Sequence, residues 1–132
     1  MASLYSPVQT YLDEQGSTTK LLPPEHPDFE AAHEPSGNNS GAQPVLIARP
    51  QNAEDVQTMV RYCAQNNVRF VVRTGGHNSP GPTNGQDVLW IDLRDIDYVD
   101  ISEDKKTVKV GGGVLFRRLT ETLAEDGLLI PS

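Results

Sequence analysis

The segment Arg73-Thr74-Gly75-Gly76-His77-Asn78-Ser79-Pro80-Gly81 lies between two apolar runs, Phe70-Val71-Val72 and Val88-Leu89-Trp90-Ile91. It restricts the fold more than any other stretch. Gly75 and Gly76 let the backbone take φ > 0 and approach a ligand closely, while Pro80 and Pro82 are incompatible with a helix beginning in the loop. The connection is therefore read as an irregular loop between strands. Successive amide N–H groups in such a loop form a concavity suited to a phosphate, and His77 is its one strongly nucleophilic side chain. A phosphate cradle with a histidine on its rim points to a phosphate-bearing cofactor. The alternative is a plain glycine-rich turn. The spacing is not G-x-G-x-x-G, and no Gly-Lys-Ser/Thr occurs, so neither the Rossmann nor the P-loop fingerprint applies.

The loop sits inside a readable α+β order. Val45-Leu46-Ile47-Ala48 reads as a buried strand closed by Pro50. Asn52 is placed to cap a helix, with Glu54 and Asp55 in its first turn complementing the positive helix start. Val56, Met59, Val60, Cys63 and Ala64 recur at helical spacing. Asn66-Asn67 end that helix and Val68 to Val72 form the next strand, a β-α-β unit expected to have parallel strands and a right-handed crossover. After the loop come a strand over 88–93, an alternating segment from Ile96 to Ile101, a turn at Glu103-Asp104-Lys105-Lys106 and a second alternating segment over 107–110. The last two segments are expected to pair as a hairpin. Gly111-Gly112-Gly113 then leads into a helix carrying Val114, Leu115, Leu119, Leu123 and Ala124, stopped by Gly127, with a further extended segment expected from Leu128.

The N-terminal third is different in character. Residues 8–15 form a short helix ended by Gly16, and residues 17–43 are rich in Pro, Gly, Asn, Ser and His. This predicts a helix and proline-rich arm over 1–43 that lies across another surface, followed by a folded unit over 44–132. With 132 residues, 22% charged and 36% hydrophobic, the chain is neither a disordered tail nor a membrane protein. Its net charge of −7 and pI of about 4.8 argue against a nucleic-acid or anionic-membrane partner. Cys63 is the only cysteine, which leaves no internal disulfide and no multi-cysteine metal site. The first residues lack the basic and apolar regions of a secretory signal, so a cytoplasmic location is expected.

Taken together, 73–81, Ala48-Arg49-Pro50-Gln51-Asn52-Ala53-Glu54-Asp55-Val56, Val88-Leu89-Trp90-Ile91-Asp92-Leu93-Arg94 and Val108-Lys109-Val110-Gly111-Gly112-Gly113-Val114 resemble the FAD-linked oxidases with a PCMH-type (vanillyl-alcohol oxidase-like) FAD-binding domain. The nearest likeness is to the berberine bridge enzyme-like and 6-hydroxy-D-nicotine oxidase branch, over roughly residues 44–131, with 17–43 a looser match. The resemblance implies the N-terminal half of such a domain. It implies FAD as cofactor, held by Arg73, Thr74, Gly75, Gly76, His77, Asn78, Ser79, Gly81, Gly112 and Gly113. It also implies an oxygen-dependent oxidase acting on a small organic substrate. His77 stands where that family often bonds covalently to the flavin 8α-methyl carbon, which requires the neutral imidazole available at neutral pH. A non-covalent FAD contact, or a ring hydrogen-bonded to neighbouring backbone, are the alternatives.

Other candidates carry two readings each. Arg73 either adds charge near the diphosphate or is a solvated strand-end residue. The 111–113 turn either receives an anion at a helix start or packs strand closely on helix. Asp92 reads as a structural acceptor, Cys63 as a small core residue and His26 and His33 as solvent-facing. The family's catalytic base has no counterpart, and Tyr5, Tyr11, Tyr62 and Tyr98 do not match it. The resemblance places the family's later FAD-binding stretch and substrate domain beyond Ser132. The chain alone is therefore expected to be a catalytically inactive remnant, an FAD-poor or marginally stable segment, or a nucleotide-binding module completed by a second polypeptide.

Overall fold

The computed structural model of the chain describes residues 4–29, 31, 44–74 and 88–130. Helix α1 spans Tyr5–Gln15 and buries Val8 and Leu12. It begins three residues before the expected start, because Pro7 falls in the first turn, where its missing N–H is not needed by the helix. Gly16, at φ 71°, ends it, and Ser17 N–H closes the end on the Leu12 carbonyl.

The arm then departs from its reading as loop. Lys20–Leu22 is a strand, β1, antiparallel to β2 (Leu46–Arg49), with Leu21 opposite Ala48 and Leu22 opposite Ile47. A three-residue strand is too short to show a period in sequence, and here the neighbouring strand supplies the order. Leu21 and Leu22 point to opposite faces of the sheet, and both are buried. The N-terminal region therefore contributes to the core and does not merely lie across it.

Helix α2, Ala53–Gln65, starts as its sequence requires: the Asn52 side chain accepts from Asp55 N–H at 2.8 Å. Its buried face is Asp55, Met59, Tyr62 and Cys63, whereas Val60 and Ala64 are exposed. The helix is rotated from the expected face by two tertiary contacts. Tyr62 packs on Tyr11 of α1 with ring centroids 5.1 Å apart. Asp55 is tied to the residues after α1: its carboxylate accepts from Ser17 Oγ, Thr18 N, Thr18 Oγ1 and Gln51 N at 2.6–3.0 Å.

Strands β3 (Phe70–Arg73) and β4 (Leu89–Asp92) complete a four-stranded sheet of order β1-β2-β4-β3. β2 and β3 are both parallel to β4. The β2-α2-β3 unit thus has parallel strands as expected, but β4 is inserted between them. The sheet buries both faces. Leu46, Ala48, Leu89 and Ile91 meet Val8, Leu12, Met59 and Cys63 of the helices, while Ile47, Val88 and Trp90 meet Leu22 and Phe29 on the other side.

A separate hairpin follows. β5 (Val99–Ile101) pairs antiparallel with β6 (Val108–Val110), Val99 opposite Val110. The strand is shorter than the expected Ile96–Ile101 because Ile96 N–H bonds back to Leu93 O in a turn. Helix α3, Phe116–Glu125, buries Leu119 and Leu123. Val114 and Leu115 precede it, since Gly113 N–H is held by Ile96 O and Val114 N–H by Gly111 O. Gly127, at φ 72°, follows the helix end, and no strand forms over 128–130. Among the described residues no helix is long and apolar enough to cross a membrane.

Candidate functional site at the carboxyl edge of the sheet

In a parallel sheet the connections at the carboxyl ends of the strands are where ligands are held. Here β2, β3 and β4 end together. Arg73 is opposite Asp92, Lys20 is opposite Arg49, and Arg49 is one step beyond the Ala48–Ile91 pair. Lys20, Arg49, Asp92 and Arg73 therefore form one row across all four strands, on the face that carries Ile47, Val71 and Trp90. The glycine loop leaves the sheet at Arg73 and Thr74.

The carboxylates beside this row already have partners. Asp92, buried, accepts from Arg94 N–H at 3.1 Å and Arg94 Nε at 2.9 Å, which is the structural role its sequence position suggests. Asp95 accepts from Arg49 Nη2 at 3.3 Å and Gln51 Nε2 at 2.9 Å. Arg73 is left over. It is only 8% exposed, so the reading of a solvated strand-end residue is overturned. Its guanidinium lies 4.1 Å from the Trp90 ring centroid, and its buried Nε has no hydrogen-bond partner. Burial pulls the Arg73 pKa down from 12.5, the Asp92 charge opposes that, and the nearby Arg94 cation adds to it. An arginine remains charged even so. A buried cation with a spare donor at the root of a glycine loop is a place for an anion.

A recess of about 550 Å³ opens at the same end of the sheet, between the first turn of α2 and the hairpin. Asn52, Ala53, Val56, Leu93, Tyr98 and Gly112 are among its walls. The second glycine turn divides by position. A Cβ on Gly111 would meet Ile96 O at 2.1 Å, and one on Gly113 would meet Leu93 O at 1.7 Å. Both glycines are needed for close backbone packing, and the N–H of each is already donated within the chain. Gly112 is exposed and faces the recess. Of the remaining candidates, Thr74 is exposed at the loop root, and Gly75, Gly76, His77, Asn78, Ser79 and Gly81 lie outside the described residues, as does His33. His26 Nδ1 accepts from Asp28 N–H. Cys63 is buried, and burial pushes its thiol up to about 11.

Comparison with known proteins gives the family. Residues 44–132 match the FAD binding domain family. The chain belongs to that family. FAD is therefore its cofactor, and the α+β architecture is that of a PCMH-type domain fragment. The chain is 39% identical over 87 residues to the FAD-linked oxidoreductase aurO of Gibberella zeae, covering 66% of this chain and 17% of that protein. It is 32% identical over 123 residues to (R)-6-hydroxynicotine oxidase of Paenarthrobacter nicotinovorans, covering 93% of this chain and 26% of the relative. The crystal structure of 6-hydroxy-D-nicotine oxidase from Arthrobacter nicotinovorans superposes with a TM-score of 0.76 at 30% identity, over 84% of this chain and 24% of that one. BBE-like 1 of Physcomitrella patens shares the fold at TM-score 0.76 and 22% identity, over 91% and 26% of the two chains. The FAD-binding chain thus spans about a quarter or less of these relatives' length.

Arg73 is compatible with such a cofactor: a buried guanidinium without a carboxylate partner among the described residues has the charge and planar donor geometry that would suit a diphosphate. Trp90, which seats Arg73, was not marked by its sequence. A tryptophan in an apolar strand reads as core, and its stacking partner becomes visible only when β4 is known to lie beside β3.

Proposed function

We propose that this chain is the FAD-binding segment of an oxygen-dependent flavin oxidase, which oxidises a small organic substrate by hydride transfer to FAD and passes the electrons to dioxygen, releasing hydrogen peroxide. The observation that supports it most is the buried Arg73, without a carboxylate partner among the described residues, at the root of a glycine loop and within a region matching an FAD-binding family. In this reading Arg73, Thr74, Gly75, Gly76, Asn78, Ser79 and Gly81 surround the diphosphate. Gly112 borders the cofactor at the recess, and Gly113 contributes by letting the turn close on Leu93. His77 is the covalent attachment point. The names of the relatives, oxidoreductases and a hydroxynicotine oxidase, support the reaction class. The substrate and the base that accepts its proton belong to no residue described here.

Intact-mass analysis tests the tether. The expected result is an added mass equal to FAD that disappears in His77→Ala. An unmodified mass, with no flavin absorbance in the pellet after denaturing precipitation, overturns it. Oxygen consumption with candidate amines and alcohols tests the oxidase.

A second reading is a catalytically inactive, partner-completed FAD- or nucleotide-binding module. It is favoured by apolar side chains left in solvent: Val72 on the edge strand β3, and Leu115 and Phe116 at the start of α3, each about half exposed. These are surfaces that a second polypeptide can cover. FAD binding without any oxygen consumption, together with equal affinity for ADP and FAD, would favour it over the first reading.

A further inference from the structure

We infer that Trp90 is a positioning residue: its indole seats the Arg73 guanidinium at the loop root, where that cation receives the diphosphate of a bound dinucleotide. The inference rests on the FAD reading above and adds the residue that holds the buried Arg73 cation in place.

The placement follows from the sheet. Val71 is opposite Trp90 and Arg73 opposite Asp92, so Arg73 and Trp90 are diagonal neighbours on adjacent strands and share a face. Arg73 does not form an ion pair with the residue opposite, because Asp92 is already engaged by Arg94 through both oxygens. It lies instead against the indole, with its guanidinium carbon 4.1 Å from the ring centroid. A ring face offers a desolvated cation partial electrostatic compensation. It accepts no in-plane N–H, and the Arg73 Nε has no hydrogen-bond partner. Stacking on a ring face leaves the in-plane N–H donors of a planar guanidinium unspent on the ring, and that fork geometry matches two phosphate oxygens.

Charge points the same way. The chain carries −7 overall, yet Lys20, Arg49, Arg73 and Arg94 gather at this edge against Asp92 and Asp95. Of the carboxylates there, one is taken by Arg49 and the other by Arg94, which leaves Lys20 and Arg73 without a carboxylate among the described residues; Lys20 is exposed, and Arg73 is the buried one, next to Thr74 and the glycine loop. The ligand class is a diphosphate ester carrying two negative charges. Trp90 also packs with Leu22, Ile47 and Val88, so a purely structural role is the competing explanation.

The test is calorimetric titration of the full chain and its variants with FAD, ADP and inorganic pyrophosphate. Trp90→Leu is expected to weaken all three by a common factor of about tenfold, and Trp90→Phe, which keeps a ring, by about threefold or less. In an Arg73→Met background the Trp90→Leu change is expected to cost nothing further, because Trp90 acts through Arg73. A Trp90→Leu penalty of the same size in both backgrounds overturns the inference, since the residue would then act by packing alone. Unchanged affinity in every Trp90 variant, with FAD still bound by the parent chain, overturns the positioning role and leaves the FAD reading intact. If the parent chain binds none of the three, both fall. If far-ultraviolet circular dichroism shows that Trp90→Leu does not fold, the comparison is made with Trp90→Phe alone in the two backgrounds: a penalty confined to the parent background supports the inference, and an equal one or none overturns it.

Discussion

Replacing Asp55 by asparagine removes a charge where four donors converge. Ser17 Oγ and Thr18 N reach Oδ1 at 2.9 and 3.0 Å, and Thr18 Oγ1 and Gln51 N reach Oδ2 at 2.6 and 2.9 Å. The side chain is 3% exposed, so water cannot substitute for it. Asparagine keeps one acceptor oxygen and turns the other into a donor facing two donors. Losing two hydrogen bonds to a charged acceptor, partly relieved by relaxation, is expected to cost about 3 kcal/mol. The urea midpoint should then fall by more than about 1 M, given typical slopes for small domains. Unfolding can be followed by the emission of Trp90, the only tryptophan.

The pH dependence checks the same reasoning. Burial pushes the Asp55 pKa up, but the Thr18 hydroxyl, the Gln51 and Thr18 amides and the Ser17 hydroxyl outweigh it and hold the carboxyl below its ordinary 3.8. A carboxyl with a lowered folded pKa stabilises fully above the unfolded value, and that contribution disappears as pH falls through the folded one. The stability gap between the parent chain and Asp55→Asn should therefore be widest near neutral pH and narrow below the ordinary carboxylate range. A gap smaller than about 1 kcal/mol at neutral pH would be too little for two such bonds. A gap that stays constant under acid would show that the carboxylate charge is not what holds residues 17–18 to α2.

Three further outcomes are expected. Gly113→Ala should destabilise by about 1–3 kcal/mol, because its Cβ would lie 1.7 Å from a backbone oxygen, whereas Gly112→Ala, 3.2 Å from a flexible Leu93 methyl, should be mild; thermal melts of the pair decide it. Cys63, buried with its thiol pushed up to about 11, should resist a thiol reagent at neutral pH until denaturant is added, and rapid native labelling would contradict its placement. Asn52→Ala should lose about 1 kcal/mol of stability through the missing α2 cap, and a change near zero in urea unfolding would refute that cap's role.

Local signals were legible in the sequence where they carried the information. Asn52 and the acidic first turn placed the start of α2, and period-two alternation placed the β5–β6 hairpin. The glycine loop between two apolar runs pointed to the edge where Arg73 and the recess are found. What was hidden depended on pairing between distant segments. Nothing in Leu89–Asp92 states that it inserts between β2 and β3. Lys20–Leu22 becomes a strand because β2 is beside it. Arg73 resembles any charged strand end until Trp90 is beneath it and Asp92 is taken by Arg94. The buried face of α2 turned from the expected one because Asp55 is anchored to Ser17 and Thr18, a contact between residues 37 and 38 positions apart.

FAD held at the carboxyl edge beside Arg73 would lie next to Trp90, and Trp90 emission measures this directly. Flavin absorption overlaps tryptophan emission, so FAD bound beside the Arg73–Trp90 pair must quench it. Titrating the purified chain with FAD should give saturable quenching at one FAD per chain, weakened in Arg73→Met and reproduced only feebly by riboflavin, which has no phosphate. Quenching that never saturates, or that riboflavin matches in full, would contradict a diphosphate site at this edge.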